Sequence, residues 1–331
     1  MNLPTLSVIV PNYNHAKYLP RCLNALLGQS VQPQEIIVVD DASTDRSVEV
    51  IQEFARRHLN VRLLRNDRNR GVMETTNRGI DEAGGEFVFL QAADDETLPG
   101  FFEKSLRLLA QHPKAGLSCT IGDWREERAD GTLQWHMGAG MTDRPAYLSP
   151  QEVVRLEQRG RLFIPGHTAI YRREALIQVG KLISELSLYS DWYATTVLAL
   201  RHGVCVVPEP LAVFNVGEAT FFRKSRKNPA INDPAIEHAL RLLTGPDCSD
   251  VVGRFTEAGS LYVCGWAGYR VLRRHAKFRR FATPRYLRKM LWQTTRVWLK
   301  NRAPAFLVNW YAEVAGYRVK AAGGPTTPAA T

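Results

Sequence analysis

Over the first 120 residues, short apolar runs alternate with amphipathic stretches. Residues 6–10 form an apolar strand ended by Pro11, and Glu35–Asp40 reads Glu-Ile-Ile-Val-Val-Asp, a second strand closed by its acid. Between them, residues 17–27 set Leu19, Cys22, Leu23, Leu26 and Leu27 at helical spacing. Ser43, Thr44 and Asp45 put hydroxyl and carboxylate groups where a cap belongs, ahead of a helix reaching Arg57. Strands at 61–64, 87–90 and 116–121 follow, separated by helices at 75–83 and 100–110. Short apolar strands between amphipathic helices predict an α/β fold, a parallel sheet covered on both faces. Ligands of such sheets gather at the carboxyl ends of the strands.

The pattern loosens from 123 to 150, where Asp130-Gly131 suggests a hairpin turn. It recovers as a helix over 150–158, a strand over 168–171, and a helix over 173–179 stopped by Gly180. A helix over 192–200 ends before Gly203, and 204–207 is a late strand. Beyond about residue 225 the chain reads as helical. The division expected is a catalytic domain over 1–225, a basic helical extension over 226–320 and a disordered tail over 321–331, where Gly, Pro, Thr and Ala dominate.

Composition narrows the setting. With 331 residues, 45% hydrophobic and 23% charged, the chain has the make-up of a soluble globular protein. Its five cysteines are far apart and include no CxxC pair, which argues against a disulfide framework or zinc site. No basic, apolar leader is read at the N-terminus, and no apolar run is long enough to span a bilayer, so a cytoplasmic location, soluble or peripheral to the membrane, is expected. The net charge of +10 is local: between Arg270 and Arg302 there are 12 Lys or Arg and no acid, leaving 31 basic against 33 acidic residues elsewhere.

Three strand ends carry polar clusters. They are Pro11-Asn12-Tyr13-Asn14, Asp40-Asp41-Ala42-Ser43-Thr44-Asp45, and Asp94-Asp95-Glu96 ahead of Pro99. Carboxylate pairs after buried strands are costly unless a cation or a donor-rich ligand meets them. Any one pair could serve as a cap or turn; two pairs on one rim suit a hydrated Mg²⁺ or Mn²⁺ and the donors of a base or ribose.

Taken in order, residues 7–14, residues 35–45 and the acidic pair before Pro99 resemble the family 2 glycosyltransferases of the GT-A fold, over roughly residues 5–215. The resemblance implies an αβα sandwich with a mostly parallel sheet, a nucleotide-sugar donor as co-substrate, and inversion at the anomeric carbon. It implies that Pro11 and Tyr13 line the base pocket and that Asp40 or Asp41 accepts from base or ribose. Gly71 and Asn77 match the family's two Asn-x-Gly steps, and Asn77 is expected with the donor. Asp94 and Asp95 match its metal motif, although Ala92 stands where the commonest form has a further Asp. Asp191, in Ser190-Asp191 where Glu-Asp is usual, is the expected catalytic base, and equally an N-cap. His167 is expected near sugar or acceptor. Val213-Phe214-Asn215-Val216 lacks the basic residue that many relatives aim at the diphosphate, a contact that Arg223 or Lys224 would then supply. UDP is the family's commonest base, and the acceptor implied is a glycan or a lipid-linked glycan of cell-surface polysaccharide assembly. A nucleotidyltransferase would need a Gly-rich basic loop after the first strand, which Pro11-Asn12-Tyr13-Asn14 is not. Ala92 also leaves open a non-catalytic sugar-nucleotide-binding protein.

The basic segment contains a helix start at Thr283-Pro284. From there to about residue 300, Leu287, Leu291, Thr294 and Trp298 form one stripe, with Arg288, Lys289, Arg296 and Lys300 elsewhere. Such a composition suits an anionic membrane surface, or a helix packed on the catalytic domain with a solvated basic face. No nucleic-acid module is present, and no nucleic-acid partner is expected.

Overall fold

The computed structural model describes residues 2–128, 131–215 and 228–302, with side chains at all of these except 126–128, 131–134 and 296–302. Arg223, Lys224, Asp130 and the tail over 321–331 lie outside the described residues.

Strands β1 (Leu6–Asn12), β2 (Glu35–Asp40) and β3 (Val61–Arg65) form as their apolar alternation with helices requires. Helices α1 (Leu19–Leu27), α2 (Ser47–Arg57) and α3 (Val72–Glu82) connect these strands and lead to β4 (Phe87–Leu90). After the two-residue β5 (Glu96–Thr97) come α4 (Phe101–Gln111), β6 (Leu117–Arg128), β7 (Gly131–Met137), β8 (Ala146–Leu148) and α5 (Pro150–Gln158). Then follow β9 (Ile170–Arg172), α6 (Arg173–Gln178), α7 (Ser190–His202) and β10 (Val204–Asn215). The C-terminal part contains α8 (Pro229–Leu243), α9 (Val252–Ala258), α10 (Gly265–Arg274) and α11 (Pro284–Arg302).

The described strands make one sheet in the order β3-β2-β1-β4-β9-β6-β10-β5, with β7 on β6 and β8 on β10. β1 pairs in parallel with β2 and β4, β2 with β3, and β6 with β10. β9 is antiparallel to both β4 and β6, so it is a single reversed strand between two parallel blocks. Six strands therefore end on the same edge. This is the mostly parallel αβα architecture expected; β9 within the sheet, and β5, β7 and β8 beside β10 and β6, run antiparallel to their partners.

Two apolar layers flank the sheet. One gathers Val8, Val10, Leu19, Leu23, Phe89, Phe101 and Phe102 beneath α1 and α4. The other runs without a break from Ile9, Val39 and Ile80 through Tyr193 and Val197 to Ile236, Phe255, Phe281 and Tyr286. The C-terminal helices are thus continuous with the catalytic half. All five cysteines are free and buried.

In α11 the face that packs is not the one expected. Tyr286, Lys289 and Met290 are buried, whereas Leu291 is exposed. Lys289 is turned inward, 3.2 Å from Glu157 Oε1 and 3.8 Å from the centroid of the Tyr262 ring. A buried ammonium needs such partners, which is why it does not lie on the solvated face. Thr283 does cap the helix, accepting from Tyr286 N at 3.1 Å.

Candidate active site

The ends of β1 and β2 are stitched together by their polar residues. Asn12 donates to Asp40 Oδ1 at 2.9 Å and to Ser43 Oγ at 3.2 Å, and Ser43 N donates to Asp40 Oδ2 at 3.1 Å. Asn14 N donates to Ser43 Oγ at 2.9 Å, while Asn14 Oδ1 accepts from Thr44 N at 2.8 Å. Ala42, at φ +59°, takes a left-handed conformation that L-residues seldom adopt. Pro11 is half-buried and Tyr13 is 44% exposed, so the Tyr13 ring stands free beside this network.

Asp41 organises a second loop. Its Oδ1 accepts from Asn66 Nδ2 at 2.7 Å and Arg70 N at 2.8 Å, and its Oδ2 accepts from Gly71 N at 2.8 Å. Gly71 enters α3 at φ +86°, ψ 160°, a conformation open essentially to glycine alone. Both carboxylates after β2 are thus buried and donor-fed, and Asp41 defines the loop over 66–71.

Asn77 departs from its expected place with the donor. Its Nδ2 donates to Leu182 O at 2.7 Å and its Oδ1 accepts from Leu182 N at 3.0 Å. The neighbouring Ile183 N donates to Ser190 Oγ at 2.7 Å. With both amide atoms taken up, Asn77 supports the segment that enters α7.

The acidic pair lies just past β4. Asp95 is buried, and its Oδ1 accepts from Asn215 N at 2.9 Å. The Asp94 carbonyl accepts from Asn215 Nδ2 at 2.8 Å and from Arg21 at 3.0 Å, and the half-buried Asp94 carboxylate has no hydrogen-bond or ion-pair partner among the described residues. Burial, then the neighbouring Asp94 charge, pushes the Asp95 carboxyl well above its ordinary range. The oxygens on offer are hard ligands, and two like-charged carboxylates side by side favour a cation between them. No group of three or more His, Cys, Asp or Glu able to hold a metal occurs among the described residues. Among the described residues this pair is what the rim offers a divalent ion, whose further ligands would include water and diphosphate. That fits Mg²⁺ or Mn²⁺ bound with a nucleotide.

A continuous strip of contacts leads from Asp95 to Asp191. Asn215, bonded to Asp95, follows Phe214, whose ring lies 5.4 Å from that of His167. His167 follows Gly166, and a Cβ on Gly166 would overlap Asp191 Oδ2. His167 is held against Gly122 of β6, with Nε2 buried and lacking a hydrogen-bond partner among the described residues. Burial pushes its imidazole down to about 4, opposed by Asp123, which itself lies 2.6 Å from His136 Nδ1. His167 is therefore neutral at physiological pH.

Asp191 occupies the first turn of α7. The residue reaches solvent at the rim, yet its carboxyl is enclosed by protein on the Gly166 side. This desolvation raises its pKa, against a lowering contribution from Trp192 N, which donates to Oδ1 at 2.7 Å. A carboxylate with a raised pKa in the first turn of a helix is a competent proton acceptor. Sequence reasoning read Ser43 as a cap and not as the bridge between β1 and β2, and gave Asn66, Gly166 and Asn215 no role. The polar run 66–71 after β3 and the glycine before His167 were the available signals.

The family model for glycosyl transferase family 2 matches residues 7–180, just over half of the chain. An Escherichia coli protein described as the uncharacterized glycosyltransferase YibD is 36% identical over 119 residues, covering 36% of this chain and 34% of the relative. A Campylobacter jejuni GalNAc(5)-diNAcBac-PP-undecaprenol beta-1,3-glucosyltransferase is 28% identical over 162 residues, covering 49% of this chain and 51% of the relative. The chain thus spans a third to a half of these relatives. Among solved structures, Staphylococcus aureus TarS residues 1–349 with UDP-GlcNAc superpose with a TM-score of 0.60 at 19% identity, over 77% of this chain and 71% of TarS. A Pyrobaculum calidifontis mannosyltransferase with GDP-Man and Mn²⁺ gives 0.59 at 19% identity, over 96% and 86%.

Proposed function

The chain belongs to glycosyl transferase family 2 and is a glycosyltransferase, and from that premise we propose that it moves a sugar from a nucleoside-diphosphate donor to a hydroxyl of a glycan or lipid-linked acceptor, with inversion. The observation that carries this reading is the strip from Asp95 through Asn215, Phe214, His167 and Gly166 to Asp191. It sets a metal-competent acidic pair and a desolvated carboxylate on one rim.

In this reading the nucleoside lies over Pro11 and Tyr13, against loops held by Asp40 and Asp41. Asp94 and Asp95 hold a divalent cation, which when bound supplies positive charge to the departing diphosphate. The acceptor hydroxyl approaches from the face opposite the diphosphate. As its oxygen bonds to the anomeric carbon, the carbon–oxygen bond to phosphate breaks and Asp191 takes the hydroxyl proton. A single displacement of this kind inverts the anomeric centre. Neutral His167 lines the space between the two acidic groups without adding charge.

The neighbours support the donor class and differ in base, one holding UDP-GlcNAc and another GDP-Man with Mn²⁺. The Campylobacter relative, whose name specifies an undecaprenol-linked acceptor, favours a lipid-linked substrate. Calorimetric titration with UDP, GDP and dTDP, each with Mn²⁺ and with chelator, tests the reading. Metal-dependent binding of one nucleotide, lost in Asp94→Ala/Asp95→Ala, is expected. A folded protein that binds none of them with metal present would overturn it.

A further inference from the structure

The C-terminal helices present a face that the glycosyl-transfer reading leaves without a role. Along the described side chains of α11, 284–295, the exposed positions are 284, 288, 291, 292 and 295, a single stripe at helical spacing opposite buried Tyr286 and Met290. In the middle of that stripe stand Leu291, 52% exposed, and Trp292, 66% exposed. Arg288, one turn before them, shares a groove of about 830 Å³ with Arg280 and Arg285. Large apolar side chains left open by the described residues, beside clustered cations, are unusual on a surface that meets only water.

The charges divide into two sets. Arg270 and Arg274 both grip Asp233, Lys289 meets Glu157, and Arg285 donates to the Glu257 carbonyl. These four fix helices to one another. Arg273, Arg279, Arg280 and Arg288 are exposed and make no ion pair with any described carboxylate. No acid lies between Arg270 and Arg302 in the sequence, and Glu257 is the one carboxylate among the residues that line the groove with Arg280, Arg285 and Arg288. On α10, Trp266 is also exposed, seven residues before Arg273 and on the same helical face.

We propose that this surface seats the protein on an anionic phospholipid bilayer. Leu291 and Trp292 enter the headgroup–acyl boundary, and Arg280 and Arg288 meet lipid phosphates. Cationic side chains around a Trp-bearing apolar ridge are what an anionic interface selects, the Trp ring pairing an apolar body with a polar edge. No described helix is long and apolar enough to cross a membrane, so the contact is interfacial. The proposal goes beyond the donor reading and does not rest on it: a chain that bound no nucleotide would still bind vesicles.

Sedimentation of the full chain with phosphatidylcholine vesicles, plain or containing about one-third phosphatidylglycerol, tests it. Binding to the anionic vesicles alone is expected, weakening as salt screens the arginines. Each basic side chain near such a surface contributes roughly fivefold to partitioning, so Arg280→Glu/Arg288→Glu should lower it at least about tenfold. Leu291→Ser/Trp292→Ser should do the same, and brominated acyl chains should quench wild-type tryptophan fluorescence more than that of Trp292→Phe. All four side chains are exposed, and unchanged circular dichroism and nucleotide binding will separate lost docking from lost folding. Absence of wild-type binding to anionic vesicles at low salt, or binding indifferent to both double variants, overturns the proposal. So does a dimer that Leu291→Ser/Trp292→Ser dissociates while no vesicle is bound, because the face would then belong to a second copy.

Discussion

Two carboxylates at opposite ends of the same rim live under opposite conditions. Asp41 is buried and receives three hydrogen bonds, from Asn66, Arg70 and Gly71. Asp191 stands at the surface and receives one, from the residue next to it, while protein crowds its carboxyl against Gly166. The fully supplied group holds a loop in shape. The undersupplied one keeps an unfavourable charge that a proton can relieve, which is the property of a base. Accessibility alone would have ranked them the other way.

The comparison can be broken first at Asp191. In Asp191→Asn the turnover number should fall about 10³-fold, the scale of a lost general base. Nucleotide affinity, read by calorimetry, should stay within about twofold, because the base acts only in the transition state. Near-normal turnover would mean that the carboxyl serves only the first turn of α7, whose N-cap is Tyr189. At the other end, Asp41→Ala strands three donors and should cost about 3 kcal/mol in urea unfolding. A loss below about 1 kcal/mol would show that the loop finds other acceptors.

A third substitution sets the scale for a satisfied polar group away from the rim. Ser149 and Glu152 form a capping box on α5, with Ser149 N donating to Glu152 Oε2 at 2.8 Å. Ser149→Ala should cost about 1 kcal/mol in the same unfolding assay and leave turnover unchanged. The smallest effect is one of sign. A carboxyl whose pKa is raised on folding binds more protons in the native state, so it withdraws stability as pH climbs from the unfolded value through the folded one. Asp191→Asn should therefore be more stable than wild type at neutral pH. That advantage should vanish under acid, where both chains are uncharged at this position. In wild type, turnover should rise with pH through the same raised pKa.

The sequence makes one side of this contrast easier to see than the other. Strands β1, β2 and β4 announce themselves because both of their faces are buried, and unbroken apolar runs ended by acids have few other readings. The hairpin partner β7 is signalled by Asp130-Gly131, and Gly131–Met137 does pair antiparallel with β6. Direction is not legible at all: nothing in Ile170–Arg172 marks β9 as antiparallel to its neighbours. The length of β10 is hidden by Pro208 and Pro210, which sit where its register with β6 shifts and so do not end the strand.

Within the site, residue types pointed to the rim but not to their partners. Asp40 and Asp41 look interchangeable in sequence, yet one joins β1 to β2 and the other holds the loop over 66–71. Asn77 sits in a motif that suggests the donor, and only the fold shows its amide clasping Leu182. In α11, periodicity found an apolar stripe but could not tell which side faces the protein. Lys289 was unreadable for the same reason, its acidic partner being 132 residues away.

The turn that carries Asp191 has one more neighbour. Trp192 lies edge-on to Phe255 at 6.0 Å, Phe255 edge-on to Phe281 at 5.8 Å, and Tyr193 Oη is 3.3 Å from Cys248 Sγ. The helices beyond residue 228 therefore buttress the turn that carries Asp191. A gene fusion or domain shuffle that kept only the stretch recognised as the family would lose α7 and its buttress together. Trading the C-terminal part as a separate cassette would uncover the side of α7 that meets Phe255 and Cys248.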